Sequence, residues 1–152
     1  MKRLVLVAAL SLTALAAPVT AQDHWTPHAP SVAAVDAEIR APLEAYLRGH
    51  ATGERAAFAE AFHADAQLWG MRNGALMRTS GQEYVNRASG SPPADEAQRR
   101  RWIESIDVAG DTAYAKIILD YPTARFTDWM TLMKIEGRWV IVNKAYLSEP
   151  KS

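Results

Sequence analysis

No cysteine occurs in the 152 residues. That excludes disulfides, thiolate metal sites and a lipid-modified cysteine, so the core must hold the fold unaided. An excess of one charge is missing too. Lysine and arginine number 17, aspartate and glutamate 17, and the basic footprint that nucleic-acid binding requires is absent. The four histidines, His24, His28, His50 and His63, form no HxH or HExxH spacing, so no metal set is expected among them. There is no G-x-S-x-G, phosphate loop or dinucleotide fingerprint, and no cofactor is expected. After the first residues, no stretch is apolar enough to cross a membrane.

The exception is the beginning. Lys2 and Arg3 precede an apolar run from Leu4 to Leu15, too short to span a bilayer. Val19-Thr20-Ala21 fits the small-residue cleavage rule, so residues 1–21 read as a secretory signal peptide. A retained anchor is the alternative, against which the small residues and Pro18 argue. The expectation is export to the periplasm or beyond, with no membrane attachment after cleavage. Loss of Lys2 and Arg3 turns 17 basic and 17 acidic residues into 15 and 17. Residues 22–31 form a flexible polar lead. A new terminus at Gln22-Asp23-His24 offers amine, two amides and imidazole for square-planar Cu(II) or Ni(II). Cyclisation of Gln22 would remove the amine, and no metal function is assigned.

Residues 32–148 read as one domain. Val35, Ile39, Leu43, Tyr46 and Leu47 recur at helical spacing, with Pro42 either kinking the helix or opening its second half. Glu54 to Phe62 forms a second helix, with Ala57, Phe58, Ala61 and Phe62 as its apolar stripe. Ala66 to Gly70 reads as a short strand, Asn73-Gly74 as a two-residue turn, and Leu76 to Arg78 as the return. Ser80 with Glu83 fits a capping box opening a third helix, Gly81 to about Ala88, with Tyr84 and Val85 inward. Strands follow at Arg99–Val108 and Thr112–Asp120. The run Arg99-Arg100-Arg101 reads as a solvated face alternating with a dimer surface, not as an anion site.

The last stretch, Phe126 to Tyr146, holds two apolar strands around Glu136-Gly137-Arg138, a hairpin signal. Alternation puts Phe126, Asp128, Met130, Leu132 and Lys134 on one face and Thr127, Trp129, Thr131 and Met133 on the other. In the second strand Trp139, Ile141, Asn143, Ala145 and Leu147 oppose Val140, Val142, Lys144 and Tyr146. Asp128 and Lys144 are the anomalies, charges within apolar strands, and counting from the turn puts them near opposite positions. Helices first and strands after predict an α+β domain: three N-terminal helices packed on a curved antiparallel sheet, cone-shaped, with a pocket between.

This order resembles the nuclear transport factor 2-like superfamily over about residues 34–148. The resemblance rests on Tyr46-Leu47-Arg48-Gly49 through Thr52-Gly53-Glu54, Phe62-His63-Ala64-Asp65-Ala66, Ser80-Gly81-Gln82-Glu83-Tyr84, and Asp128 through Gly137-Arg138-Trp139-Val140-Ile141-Val142-Asn143-Lys144. It is most similar to the "putative lumazine-binding" subgroup. The fold hosts isomerases, cyclases, dehydratases, binding proteins and assembly domains, so the site must decide. In the ketosteroid isomerases of this superfamily a first-helix Tyr and a late-strand Asp stabilise an oxyanion, and Tyr46 and Asp128 sit in similar places. Where the isomerase base should lie, this chain has Trp69-Gly70, which argues against that mechanism.

Asp128, Tyr46 and His63 are the candidate catalytic residues. A desolvated Asp128 suits a base or hydrogen-bond donor; paired with Lys144 or Arg125 it would be structural. Tyr46 is donor or core ring. His63 is a proton shuttle or a helix-end group, and the resemblance favours the latter. Trp69, Met77, Trp129, Met130 and Lys144 are candidate ligand-binding residues, the rings and thioethers suiting a flat apolar molecule or plain core. Three readings follow: an exported protein binding a small apolar or aromatic ligand; a cofactor-free acid–base enzyme of isomerase, cyclase or dehydratase type; and a structural or assembly domain. The resemblance implies a homodimer in each.

Overall fold

The computed structural model of the chain describes residues 37–151. The signal peptide, the lead and the Gln22-Asp23-His24 arrangement lie outside the described residues. Helix α1 spans Ala37–Thr52 and α2 Arg55–Ala61; β1 spans Phe62–Arg72, β2 Ala75–Ser80 and α3 Gly81–Asn86. A short 3-10 turn at Glu96–Gln98 leads to β3 (Arg100–Ala109), β4 (Thr112–Asp120), β5 (Ala124–Ile135) and β6 (Arg138–Pro150).

Local chemistry sets most of the boundaries. Ile39, Leu43 and Tyr46 bury one face of α1, and Pro42 is buried inside the helix without ending it. Gly53 closes α1 at φ +73°, its N–H on the Gly49 carbonyl at 2.9 Å, a left-handed cap that glycine adopts freely. Gly90 N–H then bonds the Gly53 carbonyl at 2.9 Å, which ties this end to the loop after α3. The Ser80–Glu83 capping box is formed in both directions. Asn73-Gly74 and Glu136-Gly137 both have positive φ at each residue, the pattern of tight hairpin turns whose twist matches the strands.

The sheet order is β2-β1-β6-β5-β4-β3. Here the structure corrects the expectation of an antiparallel sheet: β1 runs parallel to β6, while every other neighbour is antiparallel. The chain leaves β2 through α3, starts again at the far edge with β3 and builds inward, so the last strand ends in the middle beside the first. The result is a curved mixed sheet. β1 is also longer than the Ala66–Gly70 expected, because its irregular start at Phe62 already pairs with Ile141.

A second correction concerns β6. The register against β5 shifts between Thr131 and Leu132, so that Leu132 faces Ile141 and Thr131 faces Asn143. Val142 is the extra residue of this bulge, which breaks the alternation. Trp139 and Ile141 therefore share the inner, helix-covered face with Lys144 and Tyr146. The core lies between this face and the helices, with Leu43, Tyr46, Leu68, Ile117, Met130, Leu132 and Ile141 fully buried.

Candidate functional site

The bulge aims Lys144 inward beside Asp128. Asp128 lies opposite Tyr146 and Lys144 opposite Met130, so the two charges meet on the diagonal rather than face to face. Tyr46 arrives from α1 above them. Its hydroxyl donates to Asp128 Oδ2 at 2.6 Å, and Lys144 Nζ donates to the Tyr46 oxygen at 2.7 Å and to Asp128 Oδ2 at 3.2 Å. Asp128 is 0% and Lys144 4% exposed. Asp128 Oδ1 is buried with no hydrogen-bond partner. Burial, then the Asp128 carboxylate, pushes the Tyr46 phenol well above its ordinary value, so Tyr46 keeps its proton as donor. Burial pulls Lys144 below the usual lysine value, while Asp128 pulls it back up.

Lys144 faces a cavity of about 360 Å³. Its buried end is closed by Leu68, Leu119 and Lys144, and its walls are Phe58, Tyr84, Tyr121, Phe126 and Tyr146. The Lys144 ammonium lies 5.0, 5.2 and 4.9 Å from the ring centres of Tyr46, Tyr84 and Tyr146, within cation–π range. Gly70 makes this possible: a side chain there would run into the Tyr146 ring. The position that lacks the isomerase base is thus filled by a tyrosine from the neighbouring strand. His50, one helical turn from Tyr46, sits 2.8 Å from the Tyr84 hydroxyl. Burial, then the charges of Lys144, Arg101 and Arg99, hold its pKa well below the ordinary 6.5.

Of the residues singled out from the sequence, Lys144 and Met77 line the cavity. Tyr46 and Asp128 stand directly behind Lys144 and reach the cavity through it. Met130 is fully buried core against the same lysine. Trp69 and Trp129, 36% and 45% exposed, project from the opposite face, where both register on Ala145. They are there because strand alternation fixes them against Leu68 and Asp128. His63 is remote; its Nδ1 accepts the Asp65 N–H at 3.2 Å, a local turn contact. The arginine run alternates, with Arg100 exposed and its neighbours turned in, but the inward side is packed: Arg101 clamps Glu96 with bonds of 2.6 and 2.7 Å, and Arg99 lines the cavity, stacked on Tyr121 at 4.3 Å. Sequence reasoning gave no site role to His50, Tyr84, Tyr121 or Tyr146. Two carried a signal: His50 is i+4 from Tyr46, and Tyr146 is i+2 from Lys144.

An inner sheet face under three helices, with ionisable groups at the floor of a cavity, defines a domain of the nuclear transport factor 2-like class. Residues 34–147 match the family described as "Putative lumazine-binding", and the chain belongs to it. An NTF-2 like protein of unknown function from Silicibacter pomeroyi DSS-3 is 28% identical with a TM-score of 0.64, over 76% of this chain and 94% of that one. A second, from Shewanella baltica OS155, is 27% identical with a TM-score of 0.67 and the same coverage. Aldolase FrzH from Cladobotryum sp is 25% identical over 108 residues, 70% of this chain and 85% of that protein.

Proposed function

We propose that the chain is an exported small-molecule-binding protein whose cavity takes a flat, largely aromatic ligand with an acceptor oxygen turned to Lys144. The cavity carries this reading. Its volume of about 360 Å³ falls within the roughly 300–1,000 Å³ of small-molecule sites, and apolar walls with a few convergent polar groups are their usual make-up. Lys144 places two donors on Tyr46 and Asp128, and an ammonium has a third. The family description supports ligand binding, and the leader supports export.

The aldolase relative favours a second reading, an acid–base enzyme. Lys144 would then stabilise a developing oxyanion. Tyr46 and Asp128 would act through it as positioning residues, because neither lines the cavity. In both readings we propose that two copies associate through the outer sheet face, where Trp69, Trp102, Tyr114, Trp129 and Leu147 are exposed.

Native mass spectrometry of the protein recovered from its own cells tests the binding reading. The expected result is a small-molecule mass on the wild type that is lost in Tyr84→Ala. A bare chain, together with no thermal stabilisation by millimolar lumazine, would count against it. A retained mass that converts to another on incubation would move the assignment to the enzyme.

A further inference from the structure

The charge on the cavity wall is one-sided. Arg72 at the end of β1, Arg87 after α3, Arg99 before β3 and Lys144 on β6 all line it, and no Asp or Glu is among the described residues that do. Two of these cations are balanced from outside the cavity. Asp95 Oδ1 lies 2.7 Å from Arg99 Nε, and Asp128 Oδ2 lies 3.2 Å from Lys144 Nζ. Arg87 donates to the neutral Thr79 hydroxyl at 3.3 Å and has the Glu83 carboxylate within electrostatic reach. Arg72 and Arg87 are exposed, whereas Leu68, Leu119 and Lys144 are buried. Two of the lining cations thus belong to exposed residues, while the aromatic walls include the buried Phe58 and Tyr121.

We infer that the cavity selects a flat aromatic anion, with its carboxylate or equivalent planar acid group at Arg72 and Arg87 and its ring system against Tyr84 and Tyr146. This rests on the reading of the cavity as a ligand site and adds the charge of the ligand. A guanidinium matches a planar acid group in two parallel hydrogen bonds. The tyrosine rings supply offset or edge contacts for an aromatic body. A neutral ligand would leave the mutual repulsion of four cations that line one cavity with no acid on its wall. An anion relieves that repulsion on entry.

The test compares 2-naphthoate with 2-naphthamide, which share shape and differ in charge, by isothermal titration. The expected result is an affinity for the carboxylate about tenfold or more above that for the amide, the scale of charge-assisted hydrogen bonds. The double variant Arg72→Gln/Arg87→Gln should bring the two probes to the same affinity with the amide unchanged. Arg138→Gln, an exposed arginine on the far hairpin, should leave the preference intact, and Tyr84→Ala should weaken both probes. Equal affinities in the wild type overturn the anion assignment while leaving the ligand site standing. So does a preference that survives the double variant. Binding of neither probe at millimolar concentration, or binding indifferent to Tyr84→Ala, overturns the ligand site itself.

Discussion

On the helix-covered face of the sheet Asp128 and Lys144 are 0% and 4% exposed, while on the other face Tyr114 and Trp129 are 62% and 45% exposed. Surface exposure of single apolar residues is ordinary; the inversion is not. One face hides its charges and the other displays its rings. The inner arrangement is poor engineering for stability, because desolvating an ion pair offsets most of its attraction. Asp128 also keeps one oxygen without a partner. Compare the Arg101–Glu96 clamp, where both carboxylate oxygens are held at 2.6 and 2.7 Å and the buried atom left without a partner is Arg101 Nε, on the cation rather than the carboxylate. A purely structural pair looks like the clamp. The inner triad differs by opening on a cavity, and that opening is what gives its cost a purpose.

The largest expected effect breaks the inner face. Lys144→Met leaves the Asp128 carboxylate buried beside Tyr46 alone, and should cost about 3–5 kcal/mol of unfolding free energy. Urea denaturation measures it. Adding Asp128→Leu to the same chain should recover much of the loss, since the uncompensated charge has gone with its partner. A single-variant loss under about 1 kcal/mol would mean that Asp128 needs no counter-charge, and the contrast between the faces would shrink.

The same contrast explains what could be read without coordinates. Alternation along β5 is unbroken, so the inward placement of Asp128 and Met130 and the outward placement of Trp129 and Met133 follow from period two alone. β6 was misread because a bulge at Val142 is a backbone event: one inserted residue moves Trp139 and Ile141 to the face of Lys144. The parallel partnership of β1 and β6 joins residues far apart in the chain, and no local signal encodes it. The capping box and the Asn73-Gly74 turn were legible because their chemistry is contained in four residues. The tyrosines around Lys144 come from α1, α3 and β6, so only tertiary packing assembles them. Trp69 and Trp129 have the chemistry of pocket residues and the wrong strand parity.

A smaller effect sharpens the inner face by pH. The folded pKa of His50 lies well below 6.5, so as pH falls through 6.5 the unfolded chain takes up a proton that the folded chain refuses. The unfolded state then binds more protons, and stability falls with pH. The slope should reach about 1.4 kcal/mol per pH unit until the folded pKa is reached, and should vanish above the unfolded value. Glu83, Glu96 and Asp120 have pKa values lowered from the ordinary carboxylate range, so their contribution is lost in a lower window. Denaturation midpoints of the wild type and His50→Gln between pH 7 and pH 5 separate the two. A variant that keeps the full slope would place the proton uptake elsewhere.

The smallest effect on the fold belongs to the outer face, and that smallness is what makes it diagnostic. Trp129 is 45% exposed and registers between Lys116 and Ala145. Glu at this position faces Lys116, which already pairs with Glu104 at 2.6 Å, and as an exposed substitution Trp129→Glu should change protomer stability by no more than about 0.5 kcal/mol. If the exposed rings are an association surface, the substitution puts a charge at its centre, where interface cores are depleted of charge. Sedimentation equilibrium should show the wild type as a dimer and the variant as a monomer of unchanged fold. Naphthoate affinity should not move, because the cavity lies on the other side of the sheet. A variant that still dimerises, or a wild type that never does, would sink the association role. A variant that lost ligand binding along with the dimer would show the two faces to be coupled, and the division between a face for ligand and a face for partner would have to be abandoned.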